Sequence, residues 1–295
     1  MIKKSAMITI CGRPNVGKST LTNALVGEKI TIVSSKPQTT RNRITAVVNR
    51  GETQLVIMDT PGFHRARTKL GDYMVNVVKE SIPDVDLVML VVEPIANIGP
   101  QEEALIARIK QSGCPAMLII NKIDTLEKEA LLEVIAVYAE AHEWKAILPI
   151  SAMRKNGTDQ LLEMMEDYAV DSPALFPEDM VTDQPDKHVC AEIVREKLLR
   201  CLDKEIPHGT AVEVTRFTER ENEIIDLDVT IYCEKASHKG IIIGKHGAML
   251  KKIGESARRD IERFMGTKVY LQTWVKVKEN WRDSDVLLRN FGFSE

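Results

Sequence analysis

The chain has 295 residues, 44% of them hydrophobic and 28% charged, so it is long enough for two folded domains of ordinary composition. It contains no run of about 18 apolar residues, which argues against an integral membrane protein. Residues 1–6 pass into a strand-like run without the apolar stretch of a secretory signal, so we expect a cytoplasmic protein. The five cysteines are scattered and never spaced as C-x-x-C, which indicates reduced thiols.

Short apolar runs alternate with longer amphipathic segments in the first half of the chain. The apolar runs predict strands at 7–11, 44–50, 54–59, 86–92, 116–121 and 145–150, and helix-period stretches lie near 71–81, 101–111, 127–142 and 158–169. This alternation predicts an α/β domain with a doubly wound, mostly parallel sheet. Only Gly51–Thr53 separate the second and third strands, which predicts one antiparallel hairpin there.

A proline- and acid-rich stretch without periodicity occupies residues 172–186. We interpret it as a linker between a first domain at 4–171 and a second at 187–280, followed by a C-terminal tail at 281–295. In the second domain the pattern predicts a helix near 187–202, strands near 210–218 and 224–234, a helix near 247–265 and a strand near 268–277. The order is α-β-β-α-α-β, an α+β domain, if the residues before the glycine turn form a short helix.

Residues 12–19 satisfy G-x-x-x-x-G-K-[ST] between a predicted strand and a predicted helix. Its glycines let successive N–H groups turn toward phosphates, and the helix N-terminus adds its positive dipole end. Lys18 would bridge the β- and γ-phosphates, and the Ser19 hydroxyl is a natural ligand for Mg²⁺. The predicted phosphate-binding residues of this loop are Gly12, Arg13, Pro14, Asn15, Val16, Gly17, Lys18 and Ser19.

A second phosphate-side motif, Asp59-Thr60-Pro61-Gly62, follows the third predicted strand. Ligands bind beside the carboxyl ends of strands in open α/β sheets, so Asp59 is placed to hold Mg²⁺ through water. Gly62 has the backbone freedom to turn its N–H toward a γ-phosphate. We therefore add all four residues to the predicted phosphate site.

Two strings at the ends of later strands identify the base. Asn121-Lys122-Ile123-Asp124 closes one predicted strand and Ser151-Ala152 ends the next. A carboxylate such as Asp124 accepts from guanine N1–H and its exocyclic amine, whereas adenine lacks that donor pair. Lys122 would stack its stem on the base, Asn121 would tie the loop to the phosphate loop, and the Ala152 N–H would reach guanine O6. The prediction is GTP rather than ATP.

These motifs resemble those of the translation-factor-related GTPases, and G-R-P-N-V-G-K-S is similar to the phosphate loop of the bacterial Era group. The resemblance covers nearly the whole chain. By that likeness the Gln38-Thr39-Thr40-Arg41 string, with Asn42, is a switch segment in which Thr39 or Thr40 closes over Mg²⁺. The sequence leaves the choice of threonine open, and an exposed polar loop is the alternative reading of the string.

Phe63 departs from the Ras-like template, in which a water-orienting glutamine often follows D-x-x-G. Phenylalanine cannot position water, so we expect slow intrinsic GTP hydrolysis unless another group or a monovalent cation assists. The resemblance links Asn15 to potassium binding in relatives. His64 is the next residue, and two interpretations are open: a histidine that approaches the attacking water, or an exposed loop histidine, which we favour.

Gly244-Lys245-His246-Gly247 lies between an apolar segment and a predicted helix, the arrangement of a type II KH domain. Such a loop lets a nucleic-acid backbone approach closely, and the groove takes about four single-stranded nucleotides. Residues 235–282 hold 12 Lys and Arg against 4 Asp and Glu, although the net charge is −3. The predicted RNA-binding residues are Gly244, Lys245, His246, Gly247, Lys251, Lys252 and Arg258. A solvated helix face is the alternative for these cations, and we expect Tyr270, Trp274 and Trp281 to fill a core.

Era-like proteins recognise the 3′ end of 16S ribosomal RNA, so the resemblance implies a GTPase switch that acts in assembly and maturation of the 30S ribosomal subunit. Its partners would be GTP and GDP, and Mg²⁺ its cofactor, with K⁺ as a further candidate. A peripheral fraction at the cytoplasmic membrane face is also implied by the family alone, and we expect a monomer. Two other hypotheses stay open: an RNA-binding assembly chaperone with nucleotide as an allosteric ligand and negligible turnover, and a basic block that binds anionic lipid.

Overall fold

The computed structural model describes residues 1–221 and 223–293, so Ser294 and Glu295 of the predicted tail lie outside the described residues. The chain forms two compact units. The first unit comprises Met1–Thr31, Thr40–Ala66 and Met74–Asp183, and the second comprises Ile32–Thr39, Arg67–Tyr73 and Gln184–Glu295. Since the second unit takes two segments from the first half of the chain, the linear boundaries at 171 and 187 stay a prediction.

A seven-stranded sheet forms the centre of the first unit. Its strands are β1 (Lys4–Cys11), β2 (Ile44–Arg50), β3 (Thr53–Asp59), β4 (Leu87–Val92), β5 (Ala116–Ile120), β6 (Ala146–Pro149) and β7 (Val170–Asp171). The order is β2-β3-β1-β4-β5-β6, in which β2 and β3 form an antiparallel hairpin and the other neighbours are parallel. This confirms the predicted doubly wound sheet and its hairpin. The two-residue β7, which pairs antiparallel with β1, was not predicted.

The helices of the first half cover both faces of this sheet. They are α1 (Lys18–Val26), α2 (Lys69–Glu80), α3 (Pro100–Ser112), α4 (Lys128–Ala141) and α5 (Thr158–Glu166). Every residue of β4 is buried, and its side chains alternate between two cores. Met89 packs into the core that contains Leu21 of α1, while Leu90 packs into the core that contains Leu105 of α3. Continuous apolar strands of this kind are typical of a parallel sheet covered on both sides.

The second unit is built on a three-stranded sheet of order β10-β9-β8. Its elements are α6 (Asp186–Cys201), β8 (Thr210–Glu219), β9 (Ile225–Cys233), α7 (Ala236–Ile243), α8 (Ala248–Met265), β10 (Val269–Val277) and α9 (Asp285–Asn290). β9 pairs antiparallel with β8 and parallel with β10. Residues of α6, α7 and α8 share one apolar core with β9, Ile193, Ile242 and Ile253 among them. The predicted α-β-β-α-α-β order of a type II KH domain is confirmed.

The aromatic residues near the end of the chain differ from expectation in two of three cases. Trp281 fills the core, as predicted, and its indole N–H donates to the carbonyl of Gly209. Tyr270 and Trp274 are instead 52% and 44% exposed. Successive side chains of a strand point to opposite faces. Val269 and Val275 of β10 face the core, so Tyr270 and Trp274 lie on the outer face. Among the described residues, no helix has the length and apolarity needed to cross a bilayer.

Candidate functional site

The phosphate loop connects the end of β1 to the first turn of α1. Gly17 caps α1 with a φ of 97°, and a Cβ there would lie 2.3 Å from Nδ2 of Asn121, so a side chain has no room. Among the described residues no side chain caps this end of α1, so its first N–H groups are available to bind an anion. The Phe63 N–H donates to the Gly12 carbonyl at 3.0 Å, which brings the D-x-x-G segment against the phosphate loop. A Cβ on Gly62 would lie 2.7 Å from Cα of Pro14, so that approach also requires glycine.

Lys18 lies inside this loop and is only 6% exposed. Its ammonium donates to the carbonyl oxygens of Gly12 at 3.1 Å and Arg13 at 2.9 Å. Burial lowers the pKa of Lys18 to about 8, against the opposing attraction of Asp59. The ammonium is thus partly desolvated and held by weak partial charges, an environment in which a polyphosphate is a stronger partner.

Asp59, at the end of β3, is completely buried. Neither of its carboxylate oxygens makes a hydrogen bond of normal geometry to the described residues. Burial raises the pKa of Asp59 to about 6, although the ammonium of Lys18 and the hydroxyl of Ser19 pull it down. A buried carboxylate without hydrogen-bond partners beside a serine hydroxyl fits a hard divalent cation such as Mg²⁺, which prefers oxygen ligands.

The two switch threonines have different surroundings. Thr40 is buried, and its Oγ1 lies 2.7 Å from Oγ of Ser19. Thr39 instead donates from its hydroxyl to the carbonyl of Lys36 at 2.7 Å, within the second unit. Of the two switch threonines, Thr40 therefore contributes the hydroxyl beside that of Ser19. The predicted switch residues Arg41 and Asn42 are buried and half-buried.

Arg195 of α6 was missed by the sequence reasoning. Its guanidinium is buried in the second unit, where it donates to the carbonyl oxygens of Gln38 and Thr39. The chain before Thr40 is therefore an ordered segment rather than an exposed polar loop. A lone arginine in a helix carries no sequence signal that it binds backbone carbonyls far away along the chain.

The base-side motifs meet at the carboxyl ends of β5 and β6. Asn121 donates from Nδ2 to the carbonyl of Val16 at 2.9 Å and accepts from the Ala152 N–H at 3.0 Å. One amide side chain thus links three of the predicted loops. The Ser151 hydroxyl donates to Oδ1 of Asp124 at 2.5 Å and so orients the exposed carboxylate. Lys122 donates to the carbonyl of Asn15 at 2.5 Å and to Oε1 of Glu93 at 2.6 Å, so its ammonium is directed toward the phosphate loop.

The segment after Gly62 holds neither a glutamine nor a free histidine. Phe63 packs against the apolar core that contains Leu90 and Leu105. His64 is half-buried rather than exposed, and its Nδ1 lies 2.9 Å from the carbonyl oxygen of Gly62. A carbonyl oxygen only accepts, so Nδ1 carries the proton in this contact and donates it to the Gly62 carbonyl.

In the second unit the Gly-x-x-Gly loop lies between α7 and α8. A Cβ on Gly244 would lie 2.7 Å from Cβ of Met249, and φ is 71°, so this position requires glycine. Lys245 and His246 are exposed at the tip of the loop. A cleft between α8 and β10 continues from the loop, and its lining residues are Gly247, Leu250, Lys251, Gly254, Glu255, Arg258, Leu271 and Thr273.

The predicted cations are distributed unevenly around this cleft. Lys251 and Arg258 line it, whereas Lys252 is exposed on α8 outside the lining. Arg258 is also 3.4 Å from Oε1 of Glu262, one turn along the helix. The sequence did not predict that Leu250 and Leu271 line the cleft. Apolar residues of α8 and β10 are equally consistent with a place in the core.

The phosphate loop, the buried Asp59 and the Asn121–Asp124 loop, all at the carboxyl edge of one parallel sheet, define a P-loop protein built for a guanine nucleotide. A KH-type unit follows in the same chain. Comparison with known proteins agrees: a family model described as a 50S ribosome-binding GTPase matches residues 7–122, and a KH domain model matches residues 205–282.

Relatives match over nearly the full length. GTPase Era of Ruminiclostridium cellulolyticum is 52% identical over 293 residues, which cover 99% of this chain and 98% of that protein. GTPase Era of Clostridioides difficile is 48% identical over 294 residues, with 99% of both covered. A crystal structure of Era in complex with MgGDPNP and nucleotides 1506–1542 of 16S ribosomal RNA has a TM-score of 0.95 at 35% identity, covering 100% of both chains. A variant of Aquifex aeolicus Era bound to GDP and AlF4⁻ has a TM-score of 0.95 at 36% identity, covering 99% of this chain and 100% of that one. This chain belongs to the Era family of GTPases, as its motifs implied.

Proposed function

We propose that this chain is a GTP-hydrolysing switch that binds the 3′ region of 16S ribosomal RNA through its KH unit and acts in assembly and maturation of the 30S subunit. The relative crystallised with MgGDPNP and the 16S fragment supports both ligands. The observation that carries the proposal is the cluster of buried Lys18, Asp59 and Thr40 around the half-buried Ser19. Among the described residues, the Asp59 carboxylate makes no hydrogen bond of normal geometry.

The chemistry is in-line attack of water on the γ-phosphate, with cleavage of its bond to the bridging oxygen of GDP. Lys18 exchanges its loop carbonyls for phosphate oxygens, whose full negative charge binds the ammonium more strongly. Ser19, Thr40 and, through water, Asp59 would hold Mg²⁺, which neutralises charge on the phosphates. For Arg13 we propose a backbone role only, because its side chain pairs with carboxylates outside the loop.

Guanine is selected by Asp124, which the Ser151 hydroxyl holds in place. The carboxylate accepts from N1–H and the exocyclic amine of guanine, and adenine would leave it without those donors. The Ala152 N–H donates to Oδ1 of Asn121, and Nδ2 of the same side chain donates to Val16 in the phosphate loop. We infer that base recognition and phosphate recognition are built on one connected set of hydrogen bonds.

The direct test of turnover is phosphate release from GTP in the presence of Mg²⁺, potassium and a 16S 3′ oligonucleotide. We expect slow release from the wild-type protein, because Phe63 packs against the core and Nδ1 of His64 is hydrogen-bonded to the Gly62 carbonyl. Release falls to the blank level in Lys18→Ala. Equal release from the two proteins would reject the enzyme and favour the second candidate function, an RNA-binding assembly chaperone with nucleotide as an allosteric ligand.

Single-stranded RNA is the proposed ligand of the cleft in the second unit. Gly244 and Gly247 allow close approach of a sugar–phosphate backbone. Lys245, Lys251, Lys252 and Arg258 supply cations, and the exposed His246 adds ring nitrogens for hydrogen bonds. Competition between a 16S 3′ oligonucleotide and acidic vesicles separates RNA from lipid. Gly244→Asp places an anion in the loop and should abolish RNA binding; unchanged RNA binding would reject the KH assignment, and vesicle binding alone would favour lipid.

Three finer features rest on the family resemblance. We propose potassium as a second activating cation near Asn15, a cytoplasmic protein with a peripheral fraction at the membrane face, and a monomer. Phosphate release in potassium chloride against sodium chloride tests the first, because equal rates would remove potassium from the account. Flotation with anionic vesicles tests the second, and sedimentation equilibrium tests the third.

A further inference from the structure

A carboxylate outside all the predicted motifs connects the two halves of the nucleotide site. Glu93 directly follows β4, the strand between β1 and β5 in the sheet. Its Oε1 accepts from the ammonium of Lys122 at 2.6 Å, and its Oε2 lies 3.5 Å from Nη2 of Arg13. One side chain thus pairs with a cation of the phosphate loop and a cation of the guanine loop.

A second carboxylate completes the cluster. Glu102, in the first turn of α3, is 1% exposed and forms an ion pair with Nε of Arg13. Burial raises the pKa of Glu102, while Arg13 and the N–H groups at the start of α3 counteract it. Arg13 therefore directs its guanidinium at two acids outside the phosphate loop. The cluster contains two acids and two bases, and Arg13, Glu93 and Lys122 are each partly exposed.

Two groups hold the ammonium of Lys122: the Asn15 carbonyl and the carboxylate of Glu93. A lysine stem that stacks on a base must be held in one extended rotamer, which costs conformational freedom. A charge-assisted bond at the ammonium fixes the far end of the stem before the base arrives. Preordering of this kind reduces the entropy lost on binding.

We propose that Glu93 is a positioning residue of the guanine site: it anchors the Lys122 ammonium to the phosphate loop so that the stem is preset for the base. The inference rests on the proposed function, since it needs a guanine nucleotide beside Lys122. Glu102 has a supporting part, because it holds Arg13 and so leaves Glu93 available to Lys122.

The test is a double-mutant cycle on GDP affinity and release, with Glu93→Ala, Lys122→Ala and the double variant. Glu93→Ala should weaken GDP binding about tenfold, or 1.4 kcal/mol, mainly through faster release. In the Lys122→Ala background the same change should alter affinity less than about twofold. Glu93→Gln keeps an acceptor for the ammonium and should recover most of the loss.

Glu103→Gln, an exposed neighbour of Glu102 on α3, is the matched control and should bind GDP like the wild type. Melting of each nucleotide-free variant checks the fold. If Glu93→Ala does not fold, Glu93→Asp, whose side chain is one methylene shorter, replaces it in the cycle. An equal loss in both backgrounds, or no loss at all, would overturn the positioning role. If the wild-type protein does not bind GDP, the proposed function itself is rejected.

Discussion

The nucleotide site of the first unit and the proposed RNA cleft of the second unit differ in how far their charged groups are exposed to water. In the first, the charged groups are withdrawn from water: Lys18 is 6% exposed and Asp59 is fully buried. In the second, the charged side chains of Lys245, Lys251 and Lys252 are all exposed. Buried charges gain much from one matched ligand and cost stability without it, whereas exposed charges each add little and are screened by salt. The comparison predicts large, ligand-specific effects in the first unit and small, salt-dependent ones in the second.

The largest expected effect is at Asp124. Asp124→Asn removes two charge-assisted acceptors from guanine and should weaken GDP binding about 10³-fold, since each such bond contributes about 1.5–3 kcal/mol. Titration calorimetry checks the value, and Asp159→Asn, an exposed acid at the start of α5, is the control. A loss no greater than that of the control would mean that the loop does not read the base.

The second prediction concerns the buried carboxylate of Asp59, whose removal should stabilise the nucleotide-free protein. Asp59→Asn removes a desolvated carboxylate, so nucleotide-free protein in EDTA at pH 7.5 should gain about 1–2 kcal/mol of unfolding free energy. The pKa of Asp59 is raised from 3.8 to about 6, so the folded protein holds this proton more tightly than the unfolded chain does. The proton therefore stabilises the fold at low pH, and that stabilisation is lost as the pH rises through 6. The gap between the two proteins should therefore widen from pH 4 to pH 6.

Chemical denaturation across that pH range measures the gap. Asp59→Asn should also lose Mg²⁺-dependent binding of a GTP analogue, which separates the stability effect from the functional one. An Asp59→Asn variant less stable than the wild type at pH 7.5 would contradict the claim that the desolvated carboxylate of Asp59 destabilises the nucleotide-free protein.

A smaller effect with two signs is expected at Gly254. This glycine lies inside α8 and lines the cleft, and a Cβ there would meet nothing within 4 Å. Gly254→Ala should raise stability by about 1 kcal/mol through helix propensity. It should also weaken RNA binding several-fold, because the methyl group occupies space for the nucleic-acid backbone. Thermal melting and fluorescence anisotropy check the two signs, and tighter RNA binding would contradict the assignment of the cleft.

The smallest effects belong to the single exposed lysines. Lys251→Ala should weaken RNA binding a few-fold and reduce the salt slope by about 0.7 if it contacts one phosphate of a single strand. Lys252→Ala is its matched neighbour outside the lining and should change the slope less. Anisotropy titrations at several salt concentrations distinguish them. Equal slopes for both variants would indicate a diffuse basic surface rather than a cleft.

The sequence could predict the features that are local in the chain. Periodicity located the sheet, the hairpin and the KH order, and the glycines at 17, 62 and 244 mark positions where a side chain would collide with backbone or a neighbour. It could not choose between Thr39 and Thr40, because adjacent residues of one loop share their composition and only the fold puts one hydroxyl beside Ser19.

Side-chain pairings between distant segments were the part that sequence could not supply. Arg13 was expected at the phosphates, yet its guanidinium pairs with Glu93 and Glu102, more than 70 residues later. Glu93 and Arg195 have no motif of their own, since an acid after a strand or an arginine in a helix is ordinary surface composition. Tyr270 and Trp274 were expected inside, but the alternation of side chains along β10 places them on its outer face.

The central claim is that loops at the carboxyl edge of one sheet form a site for a guanine nucleotide and its metal. Calorimetric titration of the wild-type protein with GDP and with ADP, each with Mg²⁺, tests it most directly. We predict that GDP binds and that ADP binds at least about 10³-fold more weakly, because a site built for hydrogen bonds rejects a ligand that lacks them. Equal affinity for the two nucleotides, or no uptake of GDP, would contradict the account.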